Sequence, residues 1–133
     1  MDVLLDELQS AESEELQLPI PSDPRLAGLA AALIQDPSDS RSLYDCAHSI
    51  GFSERSLSRH FRSETKMSFI EWRTMARMKR ALERMADGWS VTDTSIAVGY
   101  DSVSSFIVQF RRTFGATPAH SRRGAERLSS MAH

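Results

Sequence analysis

The sequence predicts an all-α fold, and three observations carry the prediction. Apolar residues recur at spacings of three and four, and no segment shows convincing period-two alternation. Serine followed three residues later by a carboxylate, a helix-start signal, occurs at Ser42–Asp45, Ser68–Glu71 and Ser90–Asp93. A pattern of helix, glycine turn, helix occurs twice, its two starts lying 48 residues apart at Ser42 and Ser90.

Each element follows from local chemistry. Val3, Leu4, Leu5 and Leu8 predict a short amphipathic helix, followed by the acidic stretch Ala11–Glu15. Leu18-Pro19-Ile20-Pro21 cannot be helical, because each proline drives its predecessor into extended backbone, so it reads as a linker. Asp23-Pro24 opens a helix with an N-cap and a proline in its first turn, apolar at Leu26, Leu29, Ala30, Leu33 and Ile34 and stopped by Asp36-Pro37. Ser42 starts the next helix, which ends at Ile50-Gly51-Phe52, where glycine accepts the left-handed conformation of a helix C-terminus. Ser53 caps a helix with Leu57 and Phe61 on one face. A long helix runs over about 68–87, closed by Gly88 and striped by Trp72, Met75, Met78, Leu82 and Met85. Ser90 and Val98-Gly99-Tyr100 bound the counterpart of the Ser42 helix. The following helix carries Phe106 and Phe110, offset by 49 from Leu57 and Phe61, so the second copy has one extra residue in its turn. These patterns place one helix-turn-helix at about 42–65 and another at about 90–114.

Composition narrows the functional classes. A chain of 133 residues is too short for separate cofactor and substrate domains. It contains no apolar run of membrane-spanning length, and no charged-then-apolar pattern of the signal-peptide kind opens the sequence given. One cysteine, Cys46, excludes a disulfide framework or a Cys-rich metal module, and a reducing, cytoplasmic setting is the expectation. The net charge of −2 conceals a split: residues 1–24 hold seven acids and no base, leaving 11 acids against all 16 bases in the remainder. Such an acidic head on a basic body fits either a polyanion-binding domain or a solvated surface of uneven charge.

The residues resemble a known family. Ile96-Ala97-Val98-Gly99-Tyr100, Ser104-Ser105-Phe106, Phe110-Arg111-Arg112 and Gly115-Ala116-Thr117-Pro118 are similar to the most diagnostic stretch of the DNA-binding domain of AraC/XylS bacterial transcription regulators. Ile50-Gly51-Phe52, Leu57-Ser58-Arg59, Phe61-Arg62, Trp72-Arg73, Arg77-Met78 and Ala81 extend the likeness over 23–123. The resemblance implies a seven-helix domain that sets two recognition helices into adjacent major grooves of promoter DNA. The 20 residues of 68–87, about 30 Å of helix, suit that task, since a turn of B-DNA is about 34 Å. It also implies RNA polymerase as a partner, and an N-terminal effector-binding or dimerisation domain whose tail would be residues 1–22. Any small-molecule effector would bind that domain, so the chain reads as a fragment or a native short regulator. Residues 124–133 read as a flexible tail.

Site residues follow by position. On the first recognition helix Arg55, Ser58 and Arg59 match base-reading positions, with Ser56 beside them. Arginine suits that role because its fork donates to both O6 and N7 of guanine. Glu54 could accept from cytosine N4 or only complement the helix dipole, and Arg62 reads as a phosphate clamp. The matching positions of the second helix are Val103, Ser104, Ile107 and Val108, where the family usually has polar or basic groups. Branched apolar groups make no bidentate hydrogen bond but can pack on a thymine methyl. Most direct readout is therefore expected from the first helix. Ser102, Arg111, Arg112 and, from the long helix, Arg73 are the other phosphate candidates; Arg77, Arg80 and Arg84 are expected to pair internally or face solvent. Lys66 stands where the family generally has glycine, which predicts a distorted turn.

Catalytic readings find no footing. His48, His60, His120 and His133 are scattered without metal-ligand spacing, and neither a phosphate-binding glycine loop nor a nucleophile elbow is present, so no cofactor is expected. Cys46 reads as a buried, inert thiol and the methionines as core filler. The competing class is a helical protein-interaction module that has lost specific DNA binding, favoured by the apolar second face and the overall acidity.

Overall fold

The structure, a computed structural model, describes residues 18–118. Among them are six α-helices and no strand: α1 Pro24–Gln35, α2 Leu43–Ser49, α3 Glu54–Thr65, α4 Phe69–Ala86, α5 Val91–Ala97 and α6 Val103–Phe114. The all-α fold is as predicted, with one helix fewer among these residues than the seven implied by the resemblance. The expected helix at Val3–Leu8 and the tail at 124–133 lie outside the described residues.

Helix starts fall where short-range chemistry puts them. The Asp23 carboxylate accepts from the Arg25 N–H at 2.8 Å. Ser42, Ser53 and Ser102 accept from Asp45, Ser56 and Ser105 N–H at 3.1 Å each, and Ser90 from Asp93 at 3.0 Å. Ser68 does the same for Glu71 at the head of α4, at 3.1 Å. Each such cap satisfies a donor that the first helical turn leaves unpaired.

The two glycine turns are built alike. Gly51 and Gly99 adopt φ of 76° and 92°, a region that side chains with a Cβ resist. The next residue then turns back onto its helix: Phe52 N–H donates to Ala47 O at 2.8 Å and Tyr100 N–H to Ser95 O at 3.0 Å. Ala47 and Ser95 occupy the same buried position in the two copies, and the Ser95 hydroxyl donates to Thr92 O at 2.7 Å. The predicted extra residue is present: 50–53 join α2 to α3, and 98–102 join α5 to α6.

The chain divides into two units. The first, Leu18–Arg77, packs Leu26, Leu29 and Leu33 of α1 with Leu57 and Phe61 of α3 and with Phe69, Trp72 and Ala76 of α4. Phe61 meets Phe69 and Trp72 edge-on, with centroids 5.3 and 5.4 Å apart. The second unit, described from Met78, packs Met78 and Ala81 of α4 with Val98, Phe106 and Phe110; Leu82 and Met85 pack against it. Alternate stretches of the α4 stripe thus serve alternate cores, each fully buried side chain contributing about 1.5–3 kcal/mol.

Residues 18–22, expected to be a tether, are seated on the first unit. The Trp72 indole donates to Pro19 O at 2.8 Å, Pro21 is buried, and Leu18 packs against the core. One oxygen of Glu64, on α3, accepts the N–H groups of Ser22 and Asp23 at 3.2 Å each.

Candidate nucleic-acid interface

Two helices carry the expected reading positions. In α3 the burial of Leu57 and Phe61 fixes the rotation of the helix, which leaves Arg55, Arg59 and Arg62 exposed. Spacings of four and three gather those guanidinium groups on one face. Among the described residues, no ion pair engages any of the three. Ser56 and Ser58 are half-buried at its margins, and Ser56 O bonds His60 Nδ1 at 2.9 Å. Glu54 lies exposed in the first turn, beside the positive end of the helix dipole.

In α6 Phe106 and Phe110 play the parts of Leu57 and Phe61, and aromatic contacts from Tyr100 to Phe106 (5.7 Å) and Phe110 to Phe114 (4.5 Å) lock the helix. The outward face carries Ser104, Val108, Arg111 and Arg112, with Val108 51% exposed at its middle. Val103 is half-buried, and Ile107 packs against the core of its unit, which leaves Val108 the most outward of the three branched residues. The Ser102 hydroxyl caps Ser105 and also contacts its Oγ at 2.9 Å. No acid occurs anywhere in α6.

On the long helix Arg73 departs from the expectation, while Arg77, Arg80 and Arg84 make internal contacts as expected. Arg73, named for phosphate, has its side chain only 15% exposed. Its guanidinium donates to the backbone carbonyls of Arg41 and Asp39 and lies 3.6 Å from the Asp39 carboxylate. Arg77 adds bonds to Pro37 O at 3.0 Å and Asp39 O at 3.1 Å. Together they staple the α1–α2 loop to α4, so Arg73 is not free to reach DNA. Burial, with Arg77 alongside, lowers the Arg73 pKa. Further along, Arg80 pairs with Glu83 at 3.2 Å and Arg84 stacks over Trp89 at 4.1 Å.

Lys66 also departs from expectation. The turn is regular: Lys66 adopts the left-handed conformation at φ 65°, and its N–H donates to Arg62 O at 2.8 Å. Gly115 after α6 does the same, with φ 77° and a 2.8 Å bond to Arg111 O. The Lys66 ammonium reaches Ser63 O at 3.2 Å. Cys46 is fully buried, and desolvation pushes its thiol pKa up, which keeps it protonated.

With this geometry in place, likeness to known proteins defines the class. Residues 46–124 match the family described as Helix-turn-helix domain. The chain belongs to that family, in its AraC-type form, and is a DNA-binding domain of a transcription regulator. It is 32% identical over 118 residues to the HTH-type transcriptional regulator NimR of Escherichia coli, covering 89% of this chain and 43% of NimR. It is 34% identical over 115 residues to RipA of Corynebacterium glutamicum, covering 86% of this chain and 35% of RipA. The chain therefore spans less than half the length of both. Among solved structures it is similar to the DNA-binding domain of AdpA in complex with a target DNA, with TM-score 0.72, 26% identity and coverage of 77% and 93%. The C-terminal domain of AraT, a response regulator from Geobacillus stearothermophilus, matches with TM-score 0.71, 25% identity and coverage of 77% and 86%. Nothing among these relatives favours the interaction-module alternative.

Proposed function

We propose that the domain recognises promoter DNA unequally with its two units, α3 entering one major groove and α6 the next. The observation that carries this is the pair of outward faces: three arginines on α3 with no ion pair among the described residues, against a valine bordered by serine and two arginines on α6. Arg55 and Arg59, assisted by Ser56 and Ser58, read base edges through hydrogen bonds, because a guanidinium can donate twice to guanine. Arg62, Arg111 and Arg112 hold phosphates, joined by Ser102, which lies exposed at the N-cap of α6. On α6, phosphate contact and DNA shape supply much of the binding. RNA polymerase as a partner, and an effector acting through a further domain, follow from the family resemblance and belong to this proposal.

Equilibrium binding to duplex DNA across a salt series tests it. Three to five phosphate contacts give a slope of about −3 to −5 in log K against log salt. A flat salt dependence, or no binding at 50 mM salt, would contradict the proposal.

A further inference from the structure

Building on that DNA-binding reading, we infer that Val108 is a specificity residue that reads the C5-methyl group of a thymine in the major groove. The argument comes from the chain's own repeat. Both recognition helices have 12 residues, a serine N-cap at Ser53 or Ser102 and a left-handed C-cap at Lys66 or Gly115. With these ends aligned, the offset of 49 places Leu57 on Phe106 and Phe61 on Phe110, all four fully buried. The two helices thus turn the same register outward. In that register Arg62 falls on Arg111, Arg55 on Ser104 and Arg59 on Val108.

Arg59 and Val108 therefore occupy one slot, filled by a guanidinium in one unit and an isopropyl group in the other. Val108 is a large apolar side chain 51% exposed amid serine and arginine, and among the described residues it stands outside the packed core of its unit. The chemistry around it selects the occupant. Arg111 and Arg112 on the same face, with no acid in the helix, favour a polyanion over an apolar protein surface. In the major groove, the apolar feature such a polyanion offers is the thymine methyl. The Arg59 slot then takes guanine and the Val108 slot thymine.

Deoxyuridine differs from thymidine only by that methyl group, so it isolates the contact. A site is first selected from a random duplex pool with the full chain, and deoxyuridine then replaces thymidine singly in each half-element. Under α6, one replacement is expected to weaken binding about three- to fivefold, the worth of one buried methyl. Val108→Ala should lose this preference for thymidine while keeping the response of the α3 half-element unchanged. Val108→Arg, which restores the residue type of the first unit, should move the selected base at that position to guanine. Equal affinity for thymidine and deoxyuridine throughout the α6 half-element would overturn the inference while leaving specific DNA binding intact. Failure to recover any site would instead remove the reading on which it rests.

Discussion

Arg59 sits exposed on α3, free of ion pairs among the described residues, over a helix whose rotation is set by Leu57 and Phe61. Arg59→Ala is expected to cost about 1–3 kcal/mol at the selected site while barely changing affinity for random DNA. Equal losses on both DNAs, measured by competition binding, would place Arg59 on the phosphate backbone instead. Thr94 is a residue of another kind: its hydroxyl is fully buried with no hydrogen-bond partner among the described residues. A buried, unpaired hydroxyl is costly, so Thr94→Val should raise stability by about 1 kcal/mol, seen as a higher Tm. An unchanged or lowered Tm would mean the hydroxyl is satisfied in solution. The outward arginines were legible from sequence, because the periodicity that buries Leu57 and Phe61 exposes their neighbours. The orphaned Thr94 was not, since its position in α5 reveals burial but not the lack of a partner.

At the scale of elements, capping was the most legible feature. Ser42, Ser53, Ser68, Ser90 and Ser102 each act within three residues of themselves, so local sequence contains the whole interaction. The α1–α2 staple was not legible, because Arg73 reaches carbonyls 32 and 34 positions away. A run of arginines on one helix looks the same whether it faces solvent, phosphate or a loop. The seat of the 18–22 segment was hidden for the same reason, Trp72 and Pro19 being 53 residues apart. Lys66 yields a prediction by comparison with Gly115: Lys66→Gly removes a left-handed lysine and should stabilise the first unit by about 1 kcal/mol in chemical denaturation. A loss of stability would show that the bond from the ammonium to Ser63 O outweighs the backbone strain.

The staple also makes the first unit sensitive to acid. Burial opposes the Asp39 charge, but the Arg41 N–H and guanidinium, with Arg73, hold its carboxyl below the usual range. A carboxylate with a depressed folded pKa contributes stability above its unfolded pKa, and this is lost as pH falls through the folded value. Denaturation followed by Trp72 fluorescence should therefore show stability declining below about pH 4, with a shallower decline in Asp39→Asn. Identical pH profiles would separate Asp39 from acid lability.

At the scale of the whole molecule, the sequence repeat becomes two units with the same capping, the same glycine turns and the same buried register, but different outward chemistry. Three arginines on one helix and a valine among serine and arginines on the other make a reader whose halves differ in kind. Site selection from a random duplex pool at two salt concentrations tests this most directly. The account predicts two half-elements about one helical turn apart. The α3 half should hold a guanine-containing core of high information and the α6 half a weaker, thymine-containing one, both kept at the higher salt. Two half-elements of equal information and similar base content would contradict it.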